Sequence, residues 1–333
     1  MDLSEDELIA AIELVLGGDA PGVVLGIGDD AAIVEPGTGE LALTSDVLVE
    51  EVHFERSSIS AHDLGAKAIV VNLSDLAAMA ASPRFALISL VLPDDVTSGW
   101  TVELFGGVRD ACAEYAISLV GGDLSRGPVI TISVTAIGEV MPGAAVRRTG
   151  ARPGDLVVVT GSLGAAAGGL ALTRVQPSRL GVALSEPWAR ELLDALVRPV
   201  ARVSEGQTLA QCGATAMMDV SDGLAKDLGR LCLASGVGAR VDLSTVPVAP
   251  ALASAAELLE VDPLELAISG GEDHELLATI DFTDLDQARD RLHERSGVSL
   301  TEVGVIVEGS GLQAVDADGS ARPLEPVGWD HFA

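Results

Sequence analysis

Apolar residues recur along this chain at two different spacings, which predict where helices and strands lie. Ser4 and Glu7 form a capping-box pattern ahead of apolar residues at helical spacing, so we expect a first helix that two glycines end. Residues 61 to about 81 predict a second, almost entirely apolar helix, with Pro83 just past its end. Residues 100–116 predict a third helix.

Short apolar runs between glycine-rich or polar turns predict the strands. The expected strands are residues 23–25, 41–44, 87–92, 117–120, 129–137, 156–160, 239–243 and 275–280. This mixture of helices and strands favours an α/β or α+β fold. The length suggests about two domains. Glycine- and proline-rich segments punctuate the chain near residue 145, so the predicted domains are 1–145 and 146–333.

Composition and charge narrow the class of protein. Hydrophobic residues make up 48% of the 333 residues, which is typical of a folded protein. The net charge is −30, from 50 acidic and 20 basic residues. Because no basic run exists to neutralise phosphates, we do not expect binding to nucleic acid or to an anionic membrane. No apolar run reaches the ~18 residues that a membrane span needs.

The cysteines and the first residues predict a cytoplasmic protein. Cys112, Cys212 and Cys232 are far apart and form no C-x-x-C pair, which suits reduced thiols better than a disulfide framework or a zinc site. Residues 1–7 are acidic, whereas a signal or transit peptide begins with basic residues.

Acidic residues end or follow several of the apolar runs and form the candidate chemistry of the chain. The groups are Asp29-Asp30, Ser45-Asp46, Asp75, Asp123, and Asp219 with Asp222. Carboxylates, with hydroxyls such as those of Thr44 and Ser45, are the oxygen ligands that Mg²⁺ prefers. The first group follows Gly26-Ile27-Gly28, which mimics a dinucleotide fingerprint, but two carboxylates there would repel a pyrophosphate. A metal site is therefore the favoured interpretation.

Asp75 stands out because the helix predicted around it is almost entirely apolar. It shares a helix face with Asn72 and Met79. An ionised carboxylate that is buried without a partner is strongly unfavourable. Asp75 therefore either faces solvent or caps a neighbouring helix, or it has a metal partner, which is the interpretation we prefer.

Several other positions allow both a binding interpretation and a structural one. Arg147-Arg148 suits contact with phosphate or solvation of a connector, and Glu272 suits a ligand contact or a turn. Trp329 suits stacking on a flat ring or packing of the C-terminus. His53 is of interest only for its closeness to Asp46. The sequence lacks the motifs of P-loop enzymes, protein kinases, EF-hands, serine hydrolases and zinc proteases.

Seven motifs stand in order along nearly the whole chain. They are Gly26-Ile-Gly-Asp-Asp30, Ser45-Asp46, Asn72-Leu-Ser-Asp75-Leu-Ala-Ala-Met79, Gly121-Gly-Asp123, Asp219-Val-Ser-Asp222-Gly223, Gly270-Gly-Glu-Asp273 and Trp329-Asp-His-Phe332. Together they resemble the thiamine-monophosphate kinase family, whose superfamily includes aminoimidazole ribonucleotide synthetase and selenophosphate synthetase. The resemblance implies a two-domain aminoimidazole ribonucleotide synthetase-like fold. It also implies a homodimer whose N-terminal domains bind metal and ATP and pair their sheets, and a C-terminal domain that completes the substrate site.

The resemblance also implies an activity and a role for each matched residue. The activity is transfer of the γ-phosphoryl group of ATP to thiamine monophosphate, which gives thiamine diphosphate in the last step of its biosynthesis. Several Mg²⁺ ions would be held by Asp30, Thr44, Ser45, Asp46, Asp75, Asp123, Asp219 and Asp222. ATP would contact Gly122, Asp123, Arg148 and Ser221. The thiamine substrate would contact His53, Glu272 and Trp329.

The chemistry of such a transfer agrees with the residues present. A phosphate-monoester acceptor has a second pKa of about 6 and is largely ionised at neutral pH, so no general base is assigned. Two alternatives stay open. One is another ATP-dependent member of the superfamily, such as a selenophosphate or aminoimidazole ribonucleotide synthetase. A selenophosphate enzyme is expected to carry a reactive cysteine or selenocysteine and a lysine near its N-terminus, and none is present before Lys67. The other is a non-catalytic acidic protein that binds metal or nucleotide.

Overall fold

The chain divides into two compact units. The structure is a computed structural model, and it describes residues 3–17, 21–27, 31–175 and 185–330. The first unit comprises Met1–Leu76 and Ala81–Gly143, and the second comprises Ala77–Ala80 and Ala144–Ala333. Within the described ranges, no helix is both long enough and apolar enough to cross a membrane.

The first unit is built on a four-stranded sheet with helices on one face. Its elements are α1 (Glu5–Leu16), β1 (Val23–Leu25), β2 (Ile33–Val34), β3 (Glu40–Val49), α2 (Ala61–Ala78), β4 (Ser82–Leu92), α3 (Ser98–Glu114), β5 (Ser118–Arg126) and β6 (Thr131–Val140). The strand order is β3-β6-β4-β5, and β1 and β2 form a separate ribbon. β4 and β5 are parallel, because α3 carries the chain back between them, and the other pairs are antiparallel.

The second unit is built on a seven-stranded sheet. Its elements are β7 (Leu156–Thr160), α4 (Ala165–Thr173), α5 (Pro187–Val197), α6 (Val203–Gln211), β8 (Ala216–Val220), α7 (Leu224–Ser235), β9 (Gly238–Asp242), α8 (Pro250–Leu259), α9 (Pro263–Ser269), β10 (Glu275–Ile280), α10 (Leu285–Ser296), β11 (Leu300–Val307), β12 (Gly311–Val315) and β13 (Ala321–Leu324). The strand order is β13-β12-β9-β11-β7-β10-β8. Successive residues of a strand enter different cores, with Met218 on one face of the sheet and Met217 on the other.

Local signals account for where the first helices begin and end. The predicted capping box of α1 is confirmed, because Ser4 Oγ accepts from the Glu7 N–H at 3.3 Å and the Glu7 carboxylate accepts from the Ser4 N–H at 2.8 Å. α2 ends at Ala78 instead of residue 81. Ala80 adopts a positive φ of 58° and the next strand begins at Ser82, so the chain leaves the helix earlier than its apolar pattern indicates.

Helices α2 and α3 cross where two glycines leave no side chain between their backbones. A methyl group at Gly65 would lie 2.0 Å from the carbonyl oxygen of Leu104, and one at Gly107 would lie 1.7 Å from that of His62. Neither position has room for a Cβ atom. The crossing therefore depends on glycine at both positions.

The first sheet buries one face and leaves the other open. Val134 and Ile88, which lie side by side on β6 and β4, are almost completely buried beneath the helices. The opposite face carries Leu41, Leu43 and Val47 of β3, which are 57%, 64% and 45% exposed. Three large apolar side chains in alternate positions of one strand make this face unusually apolar for a surface.

Candidate functional site

Helix α2 brings Asp75 against strand β3. Thr44 Oγ1 donates to Asp75 Oδ2 at 2.5 Å, and the half-buried Asp75 thus has a hydroxyl partner from the sheet. The Asp46 N–H donates to Asn72 Oδ1 at 3.0 Å, and Asn72 Nδ2 donates to the Ala68 carbonyl at 3.0 Å. The Thr44–Asp75 and Asp46–Asn72 hydrogen bonds both join β3 to one face of α2. The structure therefore places Thr44, Asp46 and Asp75 together.

Ser45 and His53 have partners of their own near this group. Ser45 Oγ donates to the Val134 carbonyl at 3.1 Å and accepts from Thr135 Oγ1 at 3.2 Å. His53 Nδ1 accepts from the Val49 N–H at 3.0 Å. This contact assigns the proton of a neutral His53 ring to Nε2.

Asp123 lies at the opposite edge of the first sheet from Asp46. The Gly121-Gly122-Asp123 motif lies inside β5, whereas the sequence predicts a strand over 117–120 that the motif ends. β3 and β5 are the two edge strands, so their backbones are separated by about 14 Å at 4.7–4.9 Å per strand. Within one chain the sheet therefore does not bring Asp123 to Asp46.

The residues of the first unit suit a Mg²⁺ ion whose coordination is completed by oxygens of the substrate. They do not by themselves form a closed metal site. Across the ranges that the structure describes, no three acidic, histidine or cysteine side chains converge closely enough to hold a metal ion. Mg²⁺ usually takes one or two carboxylates, several waters and substrate phosphates, so the oxygens of Thr44, Asp46 and Asp75 suit it. Asp29 and Asp30 lie outside the described residues.

In the second unit, the turn at residues 221–223 is fixed from one side by a buried carboxylate. Asp227 Oδ2 accepts from three consecutive backbone N–H groups, those of Ser221, Asp222 and Gly223, at 3.0, 2.9 and 3.1 Å. Arg230 Nη1 donates to Asp227 Oδ1 at 2.8 Å, and Arg230 Nη2 lies 2.6 Å from Asp222 Oδ2. Arg230 therefore links the buried carboxylate to the predicted metal ligand.

The carbonyl side of the same turn holds two of the predicted substrate residues. The Glu272 N–H donates to the Ser221 carbonyl at 2.8 Å, and the Trp329 N–H donates to the Asp222 carbonyl at 3.0 Å. The structure thus brings Ser221, Asp222, Glu272 and Trp329 together around one turn. Trp329 is 46% exposed, so part of its indole ring faces solvent.

The loop that carries Glu272 has an unusual backbone. Glu272 and His274 have positive φ angles of 66° and 51°, and each such residue costs about 1–3 kcal/mol. A methyl group at Gly271 would lie 2.6 Å from the Ser221 carbonyl oxygen, so the loop lies close against the turn at 221–223. His274 is buried, and its Nδ1 lies 3.7 Å from Asp219 Oδ2.

Two carboxyl groups near this turn have altered acidity. Burial raises the pKa of Asp227 to about 6, against the lowering effect of its backbone hydrogen bonds. Burial also raises the pKa of Asp273 to about 7, although its Oδ2 accepts from the Gly164 N–H at 2.8 Å ahead of α4. Such shifts are common at functional sites, and both residues lie within a few positions of a predicted ligand.

Arg148 lies at the far end of α7 from Asp222. Ser235 Oγ, in the last turn of α7, donates to the Arg148 carbonyl at 2.9 Å. Asp222 precedes the first turn of that 12-residue helix, which is about 18 Å long at 1.5 Å per residue. Within this unit the structure therefore does not bring Arg148 to Ser221 and Asp222.

Sequence reasoning missed the residues that support the turn. Lys226, Asp227, Arg230 and His274 all contact predicted site residues, but none was singled out for such a role. A signal was present, since Lys226 and Arg230 are four residues apart and share one face of the helix that follows Asp222. This spacing, next to the Asp222-Gly223 turn, would have predicted that both cations lie near Asp222.

The comparisons with known proteins first define the class. The family model described as AIR synthase related protein, N-terminal domain, matches residues 28–140, and that of the C-terminal domain matches residues 152–317. The chain thus has the two-domain AIR synthase-like fold predicted from its motifs. Hydrogenase maturation protein HypE from E. coli aligns with a TM-score of 0.79 over 98% of each chain at 20% identity, so it shares the fold alone.

Closer relatives then define the family. Thiamine-monophosphate kinase of Escherichia coli (strain K12) is 39% identical over 315 residues, which are 93% of this chain and 93% of the relative. A solved structure described as AaThiL complexed with AMPPCP and TMP aligns with a TM-score of 0.77 at 36% identity, over 100% of this chain and 99% of that one. The chain belongs to the thiamine-monophosphate kinase family.

Proposed function

We propose that this protein transfers the γ-phosphoryl group of ATP to thiamine monophosphate and so forms thiamine diphosphate. The observation that carries the proposal is the 39% identity to a named thiamine-monophosphate kinase over 93% of both chains. The likeness to a structure complexed with AMPPCP and TMP supports the choice of both substrates. The fold alone does not support this choice of substrates, because HypE has the same fold.

We propose metal ligands in each of the two units. We assign to Mg²⁺ the residues Asp30, Thr44, Ser45, Asp46, Asp75, Asp123, Asp219 and Asp222, and we expect several ions. Bound Mg²⁺ would supply charge neutralisation at the phosphate oxygens as the γ-phosphoryl group moves in line. The chain itself orients these ligands. Thr44 Oγ1 donates to the Asp75 carboxylate, and Asn72 accepts from the Asp46 N–H. No general base is assigned, because the acceptor phosphate is already largely ionised.

Contacts with the two substrates are proposed for a second set of residues. We assign ATP to Gly122, Asp123, Arg148 and Ser221, and thiamine monophosphate to His53, Glu272 and Trp329. A methyl group at Gly122 would lie 1.8 Å from the Ile88 carbonyl oxygen, so this position accepts only glycine. The grouping of Ser221, Glu272 and Trp329 around one turn supports a shared role for them.

We further propose a homodimer in which the open faces of two N-terminal sheets pair. The exposed side chains of Leu41, Leu43 and Val47 support this pairing, because such a face loses unfavourable contact with water when it is covered. Domain 1–145 would then bind metal and ATP and form the dimer. Domain 146–333 would complete the substrate site.

A cytoplasmic location is part of the proposal. Cys112, Cys212 and Cys232 are buried free thiols, and burial raises the pKa of Cys112 to about 12 and that of Cys232 to about 11. Neutral, buried thiols suit a reducing compartment and play no part in the proposed chemistry.

The direct test is to incubate the pure protein with ATP, MgCl₂ and thiamine monophosphate and to separate the products by chromatography. We expect thiamine diphosphate and ADP in equal amounts, and neither product when thiamine replaces its monophosphate. ADP formation without thiamine diphosphate would favour another ATP-dependent activity of the superfamily. Binding of ATP with no turnover would favour a non-catalytic nucleotide-binding protein.

A further inference from the structure

The last described residues of the chain, 325–330, lie along helix α7 and are here called the C-terminal strap. They belong to no helix or strand, so no β-ladder or helical hydrogen bonding holds them. The strap follows β13, and it ends with Trp329 and Asp330 beside the turn at residues 221–223. Contacts with α7 and with that turn hold it instead.

Two glycines allow the strap to approach closely. A methyl group at Gly229 of α7 would lie 3.0 Å from Pro326 Cβ, and one at Gly328 would lie 2.3 Å from the Asp222 carbonyl oxygen. The same added atom at Gly328 would lie 2.9 Å from Lys226 Cβ. The strap thus contacts α7 at residues 226 and 229, which are one helical turn apart and on one face.

Lys226 makes the polar contacts that hold the end of the strap. Its Nζ donates to the Trp329 carbonyl, while the Trp329 N–H donates to the Asp222 carbonyl at 3.0 Å. Nζ also lies 3.7 Å from Asp330 Oδ2 and 3.6 Å from Asp222 Oδ2. Both backbone polar groups of Trp329 are therefore held, and Lys226 supplies one of the two contacts.

We propose that Lys226 is a positioning residue that sets Trp329 for binding of the thiamine moiety. This inference rests on the proposed function, in which Trp329 contacts the thiamine substrate. Lys226 is assigned no contact with the reacting atoms. It acts through the backbone of Trp329, and the aliphatic part of its side chain packs against Gly328.

The test compares Lys226→Met, which keeps the aliphatic stem but loses the donor, with Lys226→Arg, which keeps a cationic donor. We expect Lys226→Met to raise the KM for thiamine monophosphate about 5- to 10-fold, as for loss of one partly exposed charge-assisted hydrogen bond. The kcat and the KM for ATP should stay within about twofold, because Arg230, whose Nη2 lies 2.6 Å from Asp222 Oδ2, is kept in the variant and the strap acts on one substrate only. Lys226→Arg should restore most of the affinity.

A matched control tests whether removal of any surface cation, and not of Lys226 in particular, raises the KM for thiamine monophosphate. Arg289 of α10 also donates to a backbone carbonyl, that of Leu300 at 3.1 Å, and lies 3.6 Å from a carboxylate, that of Asp286. Arg289→Met should leave the KM for thiamine monophosphate unchanged. An equal rise in both methionine variants would overturn the proposal.

A second measurement needs no activity and so separates this proposal from the proposed function. Hydrogen exchange of the C-terminal peptide, followed by mass spectrometry in the absence of substrates, should be faster in Lys226→Met than in the wild type and Lys226→Arg. Unchanged exchange and unchanged KM would show that Lys226 does not position the strap. Faster exchange in Lys226→Met, together with a wild-type protein that forms no thiamine diphosphate, would instead support the role of Lys226 in holding the strap and remove the proposed substrate.

Discussion

At the scale of single residues, Asp75 is a predicted metal ligand that has a hydrogen-bond partner from the neighbouring sheet. It projects from a largely apolar helix and accepts a hydrogen bond from Thr44 Oγ1. A group held in this way needs little reorganisation when a cation binds, which is how a preorganised site favours a charged transition state.

We therefore predict that Asp75→Asn lowers kcat about 10²- to 10³-fold, the range observed when one group that stabilises transition-state charge is removed. The melting temperature should change little, because asparagine has the same shape and an oxygen that still accepts from Thr44. Steady-state kinetics at saturating Mg²⁺ measures the effect. Asp286→Asn is the control, because that side chain is 95% exposed on α10. A kcat close to that of the wild type would remove Asp75 from the metal ligands.

The glycines of α2 and α3 show at the scale of elements how a residue without a side chain specifies a helix crossing. Gly106 and Gly107 are neighbours in α3 but face different surroundings. A methyl group at Gly106 would lie 3.7 Å from His62 Cδ2, an ordinary contact, whereas at Gly107 it would lie 1.7 Å from the His62 carbonyl oxygen.

We predict opposite effects of the two alanine substitutions on stability. Gly106→Ala should raise the free energy of unfolding by up to about 1 kcal/mol, the helix-propensity difference between alanine and glycine. Gly107→Ala should lower it by about 1–3 kcal/mol, because the helices must move apart. Thermal or urea unfolding of the two variants measures both effects. If both substitutions stabilise the protein, α2 and α3 do not cross at Gly107.

Comparison of predicted and observed elements shows which signals are local. The capping box at Ser4 and Glu7 and the strand at 275–280 were predicted correctly, because cap chemistry and a short apolar run are read from neighbouring residues. The end of α2 and the position of Asp123 were not. Strand β5 continues past its apolar residues through Gly121 and Gly122 because it pairs with β4, and pairing with a distant strand leaves no local signal.

The candidate site was predictable to a similar extent. The acidic motifs indicated which residues would carry the chemistry, and the structure brings Thr44, Asp46 and Asp75 together. The support of the turn at 221–223 by Asp227 was not predicted, because it depends on three backbone N–H groups that point at one buried oxygen. Backbone direction of this kind is fixed only once the turn has formed.

At the scale of the whole molecule, the net charge of −30 and the apolar sheet face have opposite effects on association. Like charges on two copies repel each other, and salt screens the repulsion over a Debye length of about 8 Å at physiological ionic strength. Burial of the Leu41, Leu43 and Val47 face favours association and depends little on salt.

We predict that Leu43→Glu converts the proposed dimer to a monomer. The residue is 64% exposed on the open sheet face, so the change places two like charges in the covered interface without disturbing the core. Sedimentation equilibrium at physiological salt gives the mass directly. Leu233→Glu, at a side chain that is 84% exposed on α7, should leave the mass of the wild type unchanged. A wild-type protein that sediments as a monomer would contradict the proposed pairing of sheets.

The scarcity of lysine gives the C-terminal strap a practical consequence. Lys67 and Lys226 are the only lysines of the chain, and Lys67 is 2% exposed whereas the side chain of Lys226 is 18% exposed. Apart from the α-amino group, an amine-directed acylating reagent thus has one accessible target, and that amine donates to the Trp329 carbonyl. Conjugation or surface immobilisation through amines would therefore modify the lysine that holds the strap, so a fluorophore or a biosensor surface should be attached by other chemistry.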